Sequence, residues 1–121
     1  MCKEKFERLV QQAINDLPPE FLERLENIDV VVADKPTRYQ IRKARPAPGF
    51  RLLGLYEGVP LTKRSTNYGF VTPDKITIFQ KPIEDIVSDE SMIVEQITKT
   101  VKHEIAHHFG ISDTRLKEIQ S

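Results

Sequence analysis

The sequence predicts an α+β domain with N-terminal helices, a small mixed sheet and one long C-terminal helix. Three observations predict it. Apolar residues recur at helical spacing near both ends of the chain, from Phe6 to Leu17 and from Ile93 to Ile105. Between them lie short β-branched runs separated by prolines and glycines. Helices and strands also come in blocks, without the regular alternation that builds a parallel sheet.

The first helix follows from Phe6, Leu9, Val10, Ala13, Ile14 and Leu17, which share one face opposite charged residues. Pro18 and Pro19 stop it, and Pro19 then opens a second short helix, PEFLERLEN, expected to bury Phe21, Leu22 and Leu25. IDVVVAD, residues 28 to 34, is too short and too β-branched for a helix and reads as a strand. From Lys35 to Arg51 the apolar pattern fails. That stretch holds three prolines and six bases (Lys35, Arg38, Arg42, Lys43, Arg45 and Arg51) with no acid, and it reads as a loop. Its charge admits two readings, a dock for an acidic partner or substrate and a merely solvated surface.

RLLGLYEG (51–58), VPLTKRS (59–65) and DKITIFQKPI (74–83) are β-type runs divided by turns at Gly58-Val59-Pro60 and Thr72-Pro73-Asp74. Alternation from Lys75 to Gln80 suggests a half-buried strand and a possible sheet edge. Ser88 or Asp89 caps the last helix, whose first turn carries acids as the helix dipole favours. Ile93, Ile97, Val101 and Ile105 form its apolar stripe, and Gly110 ends it.

Length and composition narrow the function classes. At 121 residues, with 39% apolar and 30% charged, the chain fits one globular domain with a core that needs no staples. Eighteen basic residues balance eighteen acidic ones, so no global field draws it to nucleic acid or to an anionic membrane. No apolar run approaches a membrane span, and the amphipathic start lacks the apolar centre of a signal peptide. The single cysteine, Cys2, excludes an internal disulfide and a cysteine-based zinc ribbon. A cytoplasmic protein is expected.

The chemistry concentrates in His103-Glu104-Ile105-Ala106-His107-His108-Phe109-Gly110-Ile111-Ser112-Asp113. His103 and His107 stand one helical turn apart, so both imidazoles leave the same face and can hold one ion. Glu104 lies about 100° further round, where it can serve a water beside the metal as general base without being a ligand. A catalytic zinc site usually takes three protein ligands. Gly110 permits a sharp turn, and Asp113 follows closely enough to swing back as the third. Glu118 is the other downstream acid and a poorer choice. Glycine is only about 7% of residues, and aspartate is of similar frequency. Requiring both at these positions makes a chance match over a hundredfold rarer than for the bare five-residue motif. His108 lies about 140° from His103 and is expected to make a core or outer-shell hydrogen bond instead of sharing their metal. Tyr56, Arg64 and Tyr68 could stabilise an oxyanion if their loops reach the cleft.

These residues resemble the small bacterial zincin-like metallopeptidases, sometimes called minimal metalloproteases, whose mark is His-Glu-x-x-His-x-x-Gly-x-x-Asp. LLGLYEGVPLTKRS, PDKITIFQKPI and TVKHEIAHHFGISDTRL look like that family's pattern in the same order, over roughly the last two-thirds of the chain. The resemblance implies a zincin-like fold with the active-site helix packed under a small sheet. It also implies zinc on His103, His107 and Asp113, with Glu104 as general base. The metzincin type fits worse, since it needs a methionine after its third ligand and both Met1 and Met92 lie upstream.

The leading expectation is thus a zinc-dependent metallopeptidase acting on a peptide or protein segment, held in an open groove and pairing with the strand at Ile76 to Phe79. Two alternatives stand beside it. One is a zinc hydrolase of non-peptide amides or esters. The other is a catalytically inactive zinc-containing binding module that uses the basic segment 35–51 as its contact surface.

Overall fold

A computed structural model describes residues 1–26, 28–44, 51–58 and 74–109. Helix α1 (Lys3–Asn15) buries Phe6, Leu9, Val10 and Ala13 along one stripe, with Leu17 buried just past its end. Pro18 is extended and Pro19 begins α2 (Pro19–Arg24), where the missing proline N–H costs no intrahelical bond. Phe21 is fully buried, but Leu22 is exposed, against expectation. A six-residue helix has one inward face, and Leu22 lies about 100° round from Phe21.

Strand β1 (Ile28–Ala33) turns Ile28, Val30 and Val32 toward the core and leaves Val31 exposed. The segment read as a loop after it contains a helix, α3 (Arg38–Ala44). The missed signal is a capping box. The Gln40 N–H donates to Thr37 Oγ1 at 3.1 Å, and the Thr37 N–H donates to Gln40 Oε1 at 3.0 Å. No residue of α3 is buried, so apolar periodicity could not reveal it. Gln40 Nε2 also donates to Glu57 at 3.1 Å, which ties α3 to the next strand.

That strand is β2 (Gly54–Glu57), followed among the described residues by β3 (Asp74–Phe79), α4 (Gln80–Ile86) and α5 (Glu90–Phe109). The run 74–83 therefore does not stay extended. It turns helical at Gln80, with Pro82 in the first turn, where a proline is tolerated. VPLTKRS and the turn at Gly110 lie outside the described residues. Asp89 caps α5 by accepting from the Ser91 N–H and hydroxyl, both at 2.9 Å. These bonds hold its carboxyl below the usual aspartate range.

The sheet has the order β1-β3-β2, with β1 parallel and β2 antiparallel to β3. It is the expected small mixed sheet, but β3 is its centre and not an edge. Residues Ile76 to Phe79 are all buried, and their backbone groups face a strand on each side, so no peptide can add there. Among the described residues, the edge on the α5 side is β2. Ile93, Ile97, Val101 and Ile105 are at most 2% exposed and join α1 and the sheet's Ile76 and Ile78 in one core. No helix among the described residues is long and apolar enough to cross a membrane.

Gly54 sets how closely β2 approaches α5. A Cβ there would lie 2.6 Å from Thr100 Cγ2 and 3.3 Å from the Thr77 carbonyl oxygen. Thr100 is buried and its hydroxyl donates to the Gln96 carbonyl, so the methyl cannot swing away. Gly54→Ala is expected to cost about 1–3 kcal/mol through overpacking. Adding Thr100→Ser, which removes that methyl and keeps the hydroxyl, should recover most of the loss in urea unfolding. A neutral Gly54→Ala, or no recovery in the pair, would contradict this account.

Candidate metal centre and its groove

Helix α5 carries its apolar stripe inward and presents its polar residues to a groove beside β2. Four-residue spacing places Lys99, His103 and His107 in one row, with Gln96 and Thr100 alongside. The His103 and His107 rings are exposed, with centroids 6.4 Å apart and planes 21° from parallel. Both line a groove of about 740 Å³ bounded by α5, by residues 51–56 and by the end of α3. That volume is in the range of ordinary ligand sites.

Glu104 is only partly exposed and lines the same groove. The Tyr56 backbone N–H, on β2, donates to its Oε1 at 3.3 Å. Burial pushes the Glu104 carboxyl above the usual glutamate range, while His103, the Tyr56 N–H and His107 each pull it partly back. Thus one carboxylate is held against the sheet edge, next to two imidazoles.

His108 does something the sequence did not suggest. Its ring stacks on Tyr56, with centroids 3.8 Å apart and planes 16° from parallel. The Tyr56 hydroxyl donates to Asp74 Oδ2 at 2.7 Å, at the start of β3. His108 therefore lies against β2, as its helical phase away from His103 requires, with its ring stacked on Tyr56. Tyr56 reaches the groove as an oxyanion donor would need, but its hydroxyl is committed to Asp74. Arg64, Tyr68, Asp113 and Glu118 lie outside the described residues.

Among the described residues, no three His, Cys, Asp or Glu side chains converge on a point able to hold an ion. Two imidazoles able to act as metal donors nonetheless share one face of α5. Paired imidazoles one turn apart, with open access and a carboxylate beside them, suit zinc chemically. Two contributors went unnoticed in the sequence. The Tyr56 N–H could not be found, because it depends on strand placement. Lys99 could have been found, since it stands one turn before His103 on the same face.

A model of the zincin-like metallopeptidase family matches residues 25–121, the segment from His103 to Asp113 included. The chain belongs to the zincin-like metallopeptidase family. His103, Glu104 and His107 lie on α5, which packs against the sheet. A conserved hypothetical protein from Thermo thermophilus shares the fold, with a TM-score of 0.55 and 19% identity over 90% of this chain and 94% of that one. No curated protein matches.

Proposed function

We propose that this zincin-like protein is a zinc metallopeptidase, with His103, His107 and Asp113 as metal ligands and Glu104 as general base. The observation that carries the reading is the pair of exposed, nearly parallel imidazoles at 6.4 Å, with the Glu104 carboxylate held beside them by the Tyr56 N–H. Asp113 enters from its spacing in the motif.

When bound, zinc supplies Lewis acidity, which makes a neighbouring water acidic near neutral pH and polarises a carbonyl. The protein's own groups do the rest. Glu104 takes the proton of the attacking water at its carboxylate and then delivers it to the departing amine nitrogen. The Tyr56 N–H fixes one Glu104 oxygen, leaving the other for proton transfer. The groove walls hold an extended peptide or an unfolded protein segment across the site.

The first test is zinc content by elemental analysis. Wild-type protein purified in the presence of zinc should carry about one ion per chain, and Asp113→Ala should carry far less, because a three-ligand site loses a third of its donors. No zinc in the wild type would sink the proposal, and full retention in Asp113→Ala would remove that residue from the ligand set.

A further inference from the structure

The charge of the groove is one-sided although the chain as a whole is neutral. Its walls include Lys43 from α3, Arg51 from the segment before β2 and Lys99 from α5, three elements distant in sequence. Among the described residues the only acid in the lining is Glu104, which the proposed mechanism already uses. Each cation has an acidic neighbour: Lys43 pairs with Glu57 at 3.5 Å, Arg51 with Asp85, and Lys99 with Glu95 at 3.3 Å. None of those three acids lines the groove. The three cations thus line the groove, while the acids they pair with lie outside its lining.

Arg51–Asp85 and Lys99–Glu95 are more than half exposed on both sides, so these ion pairs are of the weak, solvent-screened kind that an incoming carboxylate can exchange, while Lys43 is 43% exposed beside a more sheltered Glu57. Leu52, Leu53 and Leu55 also line the groove, and such low-dielectric walls strengthen the field felt inside it. Two of the three cations come from the acid-free segment 35–51, whose basic bias the peptidase reading leaves unexplained.

We propose that the protein selects acidic peptides, with Lys43, Arg51 and Lys99 binding substrate carboxylates in the groove that leads to His103, Glu104 and His107. This rests on the peptidase reading for the identity of the site. The spacing sets a distance. Lys99 stands one turn before His103, about 6 Å along the helix axis. An extended peptide advances about 3.3 Å per residue, so the preferred acid lies about two residues from the cleaved bond.

The test uses two fluorescein-labelled ten-residue peptides, identical except for two glutamates in one and two glutamines in the other. Binding is read by anisotropy on the Glu104→Gln chain, and cleavage on the zinc-supplied wild type. The glutamate peptide should bind and be cleaved about tenfold better, the combined size of a few exposed charge contacts. That preference should vanish in Lys43→Glu/Arg51→Glu/Lys99→Glu and near 1 M salt, where screening acts over about 3 Å. Lys99→Glu alone should lower it part-way, and Lys3→Glu, on an exposed position of α1, should leave it intact. Equal handling of the two peptides, or a preference that survives the triple reversal, overturns the proposal. Charge-selective binding without cleavage upholds the acidic-ligand inference while removing the peptidase. Cleavage without charge preference does the reverse.

Discussion

Glu104→Gln is expected to keep wild-type zinc content and to lose peptide hydrolysis by about 10²–10⁴-fold, the usual contribution of a positioned general base. Glutamine has the same shape and keeps an oxygen to accept the Tyr56 N–H, so the contact between α5 and β2 should survive. What it lacks is a basic oxygen. Burial works against the charged form of Glu104, so the neutral amide should fold at least as stably as the wild type in metal-free protein. Three measurements check this together: zinc by elemental analysis, melting temperature, and turnover of a fluorogenic peptide. Undiminished turnover with zinc in place would remove Glu104 as the base. Lost zinc would instead make it a ligand.

Ile97→Ala is expected to cost about 2–5 kcal/mol, the range for truncating a large buried aliphatic side chain. Ile97 is 0% exposed and sits mid-stripe on α5, inside the core shared with α1 and the sheet. Domains of this kind have about 5–15 kcal/mol of stability in all, so the loss would be a large part of it. Met92, on the same helix but 51% exposed, supplies the contrast. Met92→Ala should stay within about 0.5 kcal/mol. Urea unfolding of both variants decides the matter. Similar losses at the two positions would mean that α5 is not held by this stripe. A large Ile97 effect has a functional consequence too, since the same helix carries His103, Glu104 and His107 on its other side.

The long helix was legible because its information is local. Ile93, Ile97, Val101 and Ile105 repeat at four-residue intervals, and the burial of all four follows directly from that spacing. His103 and His107 obey the same geometry. Two side chains one turn apart must share a face, whatever the rest of the chain does. Helix α1 was readable for the same reason, and so was the break at Pro18 and Pro19. By contrast, α3 escaped because it buries nothing. Its evidence is the reciprocal bonding of Thr37 and Gln40, a capping pattern that basic residues and nearby prolines obscured.

The sheet shows the opposite limit. Lys75 to Gln80 alternates in polarity as an edge strand would, yet Thr77 is 3% exposed and β3 is flanked on both sides. Strand order is a relation between segments far apart in the chain, and no single segment encodes it. By itself the sequence determined the helical stripes, the facing imidazoles and the proximity of a carboxylate to them, since a helix converts spacing into direction. The tertiary structure alone decided that β2, not β3, borders the site, that the Tyr56 N–H holds Glu104, and that Lys43, Arg51 and Lys99 meet in one groove. Each of these joins residues that only the packing of separate elements brings within reach.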